Sequence, residues 1–209
     1  MSAPPKPKDA SPVPRLWVSL EKDPVYWQAL GEFIEAFASA EIMLFSYFVN
    51  QAGIPFSIAK AFWPDIRAVR IIELIGAVWK EKPPDADIRQ NLEVAFCKFK
   101  KINERRNSMV HNVSFVTDDK GRVSSNITRR LYINEYRVSP DIIRDMISDL
   151  EKIEAHLTCA VIVTAEPWTN RDDLTREAPA LAASWRYEPD DTPKRKRKVK
   201  GRRVPSTDR

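Results

Sequence analysis

The chain has 209 residues, 43% of them hydrophobic and 30% charged, which suits one soluble globular domain or at most two small ones. Its five glycines fall in no G-x-G or G-x-x-x-x-G-K-S/T setting, which argues against dinucleotide enzymes and P-loop NTPases; Cys97, Cys159, His111 and His156 are too far apart for a recognisable zinc set, so no metal and no cofactor are expected. Net charge is +5, but residues 194–203 (KRKRKVKGRR) hold eight basic residues and no acidic one, and without them the balance is −3.

Of 16 prolines, five lie in residues 1–21 and five in 166–209. This reads as a flexible N-terminal tail over 1–21, one compact domain over 22–165 and a flexible C-terminal tail over 166–209. In the domain, Asp23-Pro24 supplies a cap and an N1 proline, and Leu30, Ile34, Phe37, Leu44 and Phe48 build one helical stripe that ends near Gly53-Ile54-Pro55. A short helical piece follows at Ser57 to Phe62, until Pro64 interrupts it. Ile66, Val69, Ile72, Leu74, Ile75 and Val78 then carry a second long helix to about Glu81, where Pro83-Pro84 stops it. Asp85 or Asp87 caps a third helix, whose positions Ile88, Leu92, Phe96, Phe99 and Ile102 lead into Asn103 to His111.

After that helix the period changes. Val113 to Thr117 alternates, Asp118 to Gly121 is a turn, and Arg122 to Tyr132 is polar and β-branched, which predicts a hairpin. Ser139-Pro140-Asp141 opens a last helix through Ile142, Met146, Leu150, Ile153, Leu157 and Val161. The expected fold is all-α, an up-and-down helical bundle of four or so helices with a small β-hairpin insertion before the last helix. From Ala165 the pattern decays, and Trp168 and Trp185 fall in a stretch expected to be unstructured or loosely docked. The basic run over 194–203 is either an electrostatic arm for a polyanion or a solvated tail. No apolar stretch reaches the length of a membrane span and no signal peptide is read, so the expected setting is cytoplasmic, with reduced thiols and no membrane partner.

Two charges fall where the stripes call for apolar residues. With Arg106 at 0° and 100° per residue, Ile102 lies at about −40°, Phe99 at about +20° and Val110 at about +40°, so Arg106 is on the stripe and Asn107 and His111 flank it. On the first helix the series 30, 34, 37, 41, 44, 48 keeps register, and position 41 is Glu. An unpaired buried charge costs several kcal/mol, so Glu41 and Arg106 are expected to face each other across the bundle or to face a cleft. A semi-buried Glu41 to Arg106 ion pair, with His111 ending a helix at its negative pole, accounts for these residues structurally. His156 reads as a surface or packing residue.

The spelling R-N-S-M-V-H over 106–111 resembles the R-x4-6-H motif of the HEPN superfamily, helical-bundle proteins that include many metal-independent ribonucleases. Arg106 matches the motif arginine, Asn107 the polar residue after it and His111 the histidine, while Glu41 stands in the earlier helix where some of these nucleases carry an acidic residue. The resemblance covers roughly residues 24–163. It implies a homodimer in which two motifs form one composite cleft and RNA is cut by attack of its 2′-hydroxyl. Among such proteins are toxins and antiviral-defence effectors, which would imply an antitoxin or regulatory partner.

In that reading His111 is base or acid, Arg106 stabilises transition-state charge, Asn107 orients His111 or binds phosphate, and Glu41 positions Arg106. Lys98, Lys100, Lys101 and Arg105, with Arg129 and Arg130, would track the RNA backbone, or are solvated helix faces. Phe115, Tyr132 and Tyr136 would stack bases or pack the hairpin. The alternative is a non-catalytic HEPN-like module that dimerises or binds RNA or nucleotide without cutting; a third class is a purely structural helical adaptor.

Overall fold

A computed structural model describes residues 24–111, 114–117, 121–127, 133–164 and 171–189, with side chains described except at 65, 111–137, 164 and 171–176. The tail over 1–21, Arg129, Arg130, Tyr132, Trp168 and the basic run over 194–203 lie outside these residues, as do the side chains of His111, Phe115 and Tyr136.

The described chain is predominantly helical. Helix α1 (Pro24–Ala52) stops where Gly53 adopts φ 65°; Gly53 N–H donates to the Asn50 carbonyl at 3.1 Å and Ile54 N–H to that of Val49 at 3.2 Å. This is a Schellman closure, and it needs the left-handed backbone that glycine takes without strain. Helix α2 (Phe56–Phe62) runs into a single 3-10 turn at Trp63–Asp65, where Pro64 has no N–H to continue an α-helix. Helix α3 (Ala68–Glu81) ends before Pro83-Pro84, and α4 (Ala86–His111) carries the motif at its C-terminal end. Ser139 caps α5 (Pro140–Thr164): its hydroxyl accepts from Ile142 N–H at 3.3 Å.

Between α4 and α5 the chain forms three short antiparallel strands rather than the two-stranded hairpin expected. They are β1 (Ser114–Thr117), β2 (Gly121–Ile127) and β3 (Ile133–Val138), in the order β1-β2-β3. Phe115 pairs with Val123, and Ser124 with Tyr136. The third strand was hidden because Asn134, Glu135 and Arg137 interrupt any apolar alternation.

Helix α1 packs on α5 and α3, α4 packs on α5, and α5 packs on α6. The side chains between them form one core that includes Phe33, Phe37, Leu44, Tyr47, Ile71, Ile75, Phe99, Ile102, Met146 and Leu150. Phe37 stacks on Phe99 at 5.1 Å between ring centroids, and the indole N–H of buried Trp79 donates to the Tyr47 hydroxyl at 3.3 Å. No helix among the described residues is long and apolar enough to cross a membrane.

The stripes are rotated from those expected. On α1 the buried series is Tyr26, Ala29, Phe33, Phe37, Ala40, Leu44 and Tyr47, whereas Ile34 is 40% exposed. Small alanines at 29 and 40 occupy positions that a count of large apolar residues assigns elsewhere. On α4 the series Phe99, Ile102, Arg105, Met109 is buried, so Arg105 and not Arg106 takes the charged place in the core stripe.

The expected flexible tail from 166 does not hold for the described residues beyond it. Helix α6 (Arg171–Ala182) is followed by a docked strap, residues 183–189, whose polar backbone is satisfied by side chains of α4 and α5. Asp149, 1% exposed, accepts from Arg186 N–H at 2.7 Å and Tyr187 N–H at 3.0 Å. Lys152 donates to the Ala183 carbonyl. Lys98 donates to the Tyr187 carbonyl at 3.0 Å and pairs with Glu188 at 2.7 Å. Trp185 lies parallel to His156, centroids 6.0 Å apart, with the Lys152 ammonium 4.9 Å from its own centroid. Composition alone hides such docking, because the anchors are 29 or more residues away in sequence.

Candidate functional site

The C-terminal third of α4 and the middle of α1 bring together three of the four residues expected at the site. Arg106 is half-buried, its guanidinium carbon 5.3 Å from the centre of the Phe37 ring. One Nη donates to the Asn107 side-chain oxygen at 3.1 Å, and Asn107 itself is exposed. The Arg106 Nε is buried and has no hydrogen-bond partner among the described residues. Burial of this atom leaves the two Nη groups as the donors that Arg106 can offer outward.

Glu41 is half-buried on α1 beside this guanidinium. Burial pushes its carboxyl above the usual carboxylate value, and the Arg106 charge pulls in the opposite direction. The expected facing of Glu41 and Arg106 therefore describes two groups within electrostatic reach. They do not form one of the described ion pairs of 4 Å or less. Glu41 lies at the edge of the buried stripe, since Ala40 fills its centre.

His111 is the last residue of α4, about 7.5 Å along the helix axis from Arg106 at 1.5 Å per residue. At that pole the unpaired carbonyls of the last turn favour cations. Chemically, the arrangement offers a fixed planar cation with donors to spare, an amide beside it and a carboxylate behind it. Among the described residues no group of three or more His, Cys, Asp or Glu is placed to hold a metal ion.

The basic residues expected to follow the RNA backbone do not form one track. Arg105 is 6% exposed, and its Nε donates to the Tyr187 hydroxyl at 2.9 Å; it is a structural residue, and the expectation that it binds RNA is withdrawn. The reason is its register with Ile102 and Met109, which points it at the strap. Lys98 is likewise occupied by Tyr187 and Glu188. Lys101, half-buried, lies within electrostatic range of Glu188 on the same side, whereas exposed Lys100 lines a groove between α3 and α4.

Sequence reasoning missed Asp149, Lys152 and Tyr187 among the residues that hold the strap, and of its two expectations for the stretch around Trp185, unstructured or loosely docked, the docked one describes Trp185. The readable signal was W-R-Y over 185–187, since large aromatic residues in a supposed tail are candidates for docking. Comparison of the chain with family models, with characterised proteins and with solved structures gives no match.

Proposed function

We propose that the chain is a HEPN-type endoribonuclease that cuts RNA without a metal ion, acting as a homodimer. The observation that carries this reading is the convergence of Glu41, Arg106 and Asn107 near the end of α4, with His111 closing the same helix. In the proposed reaction one His111 takes the 2′-hydroxyl proton and the 2′-oxygen attacks phosphorus. A second His111, supplied by the other copy, protonates the leaving 5′-oxygen. Arg106 holds the charge that accumulates on the phosphoryl oxygens, and its planar fork suits two of them at once. Asn107 fixes one edge of that fork and Glu41 sets its charge environment. The products are a 2′,3′-cyclic phosphate and a 5′-hydroxyl, and DNA is not cut because it lacks the 2′-hydroxyl.

A second copy also has a surface to cover. Trp27, Ile34 and Ile42, exposed by 46%, 40% and 56%, recur along one side of α1, next to the side that carries Glu41. The proposed role as a toxin or defence effector, with a neutralising partner, rests on the resemblance alone.

The split of the basic residues between two faces favours, of the alternatives, a non-catalytic module that dimerises; the other form of that alternative binds RNA without cutting it. Mixed-sequence RNA incubated in EDTA with wild type, Arg106→Ala and His111→Ala separates the two. Cyclic-phosphate ends with wild type only are expected for the nuclease, and RNA left intact but bound is expected for the module.

A further inference from the structure

A groove of about 420 Å³ opens between α3 and α4, and none of Glu41, Arg106 or Asn107 lines it. That volume lies within the range of about 300 to 1,000 Å³ usual for small-molecule sites. Its apolar wall is Trp79 stacked on Phe96, centroids 5.7 Å apart. Its rim is cationic: Lys80 and Lys100 make none of the described ion pairs, while Arg89 lies 5.9 Å from the Trp79 ring centre and pairs with Glu93 at 2.9 Å. Three cations thus face one carboxylate around an aromatic wall.

Gly76 leaves the groove open from the α3 side. It lies inside α3, where glycine is the least favourable residue after proline, yet a Cβ built there would meet no atom within 4 Å. Close helix packing therefore does not demand the glycine. It lines the groove, and any larger residue would grow into that space.

We propose that this groove binds a small aromatic anion: its ring sits over the edges that the largely buried Trp79 and Phe96 leave exposed, and its carboxylate or phosphate is met by Lys80, Lys100 and Arg89. Both anions carry the required charge, and Arg89 can meet either through two parallel N–H donors. The site stands independently of the ribonuclease reading.

The test uses the full chain and three probes, 2-naphthoate, 2-naphthyl phosphate and the uncharged 2-naphthamide, titrated by calorimetry. Cys97, exposed and lining the groove, reports occupancy through its rate of alkylation by iodoacetamide, read by mass spectrometry. Saturable binding of at least one anion is expected, at least tenfold tighter than the amide, with Cys97 alkylation slowed fivefold or more at saturation. The tighter of the two anions identifies the head group. Gly76→Leu should abolish binding without lowering the melting temperature. Should that variant fail to fold, the exposed double substitution Lys80→Gln/Lys100→Gln decides: it should weaken the anions at least tenfold and leave the amide unchanged. Absence of saturable anion binding, equal binding of the amide, unprotected Cys97, or unchanged affinity in the folded variants overturns the proposal.

Discussion

Arg105 and Arg106 are adjacent in sequence and opposite in use. Arg105 is held in the core by the Tyr187 hydroxyl, whereas Arg106 is half-buried over the Phe37 ring and lies beside a half-buried carboxylate. Tyr187→Phe removes a hydrogen bond to a charged group and should cost about 1 to 3 kcal/mol in urea unfolding; a change below about 0.3 kcal/mol would deny the contact its role. Glu41 gives a pH signature. Because burial raises its folded value above the ordinary 4.5, the stability it contributes is full below that value and is lost as pH rises through the folded one. Glu41→Gln should therefore show a smaller fall in unfolding free energy from pH 4.5 to 7.5 than wild type, and equal slopes would contradict the assignment. The sequence disclosed the conflict between charge and stripe at 41 and 106, because periodicity exposes polar residues out of place. It did not disclose which arginine is buried, because that depends on Tyr187, 82 positions away.

The helices were legible at the level of elements. Their ends follow local chemistry that a sequence displays: the Gly53 closure, Pro83-Pro84 after α3 and the Ser139 cap of α5. The strap was not, since a segment whose backbone is met by Asp149, Lys98 and Lys152 needs no periodicity of its own, and α6 was not, since Pro179 inside it reads as a helix breaker. Asp149→Ala removes the acceptor of two strap N–H groups and should cost about 2 to 4 kcal/mol, with faster hydrogen exchange at Arg186 and Tyr187. Exchange as slow as in wild type would show that the strap is held by other means. His156 gives the strap an acid sensitivity. Burial, aided by Lys152, lowers its proton affinity below the ordinary 6.5, so its contribution is full above that value and is lost as pH falls towards the folded one. His156→Phe keeps a ring against Trp185 and should reduce the loss of strap protection between pH 7 and 5.5; an unchanged loss would place the sensitivity elsewhere.

For the whole molecule, a core shared by α1, α3, α4 and α5 presents the Glu41, Arg106 and Asn107 cluster and, beside it, the exposed apolar side of α1. If two copies complete one site, assembly and cleavage must fail together. Ile34→Asp/Ile42→Asp lies on that exposed side, so the helical circular dichroism should be kept while sedimentation shifts from dimer to monomer and RNA cleavage is lost. A monomeric variant that still cuts would remove the composite site. The central claim, that Arg106 and His111 perform metal-independent chemistry on RNA, is tested most directly by digesting mixed-sequence RNA in EDTA with wild type, Arg106→Ala and His111→Ala, each first shown to be folded. The account predicts cleavage by wild type alone, leaving 2′,3′-cyclic phosphate and 5′-hydroxyl ends. Equal cleavage by all three proteins, or RNA intact with folded dimeric wild type, would contradict it.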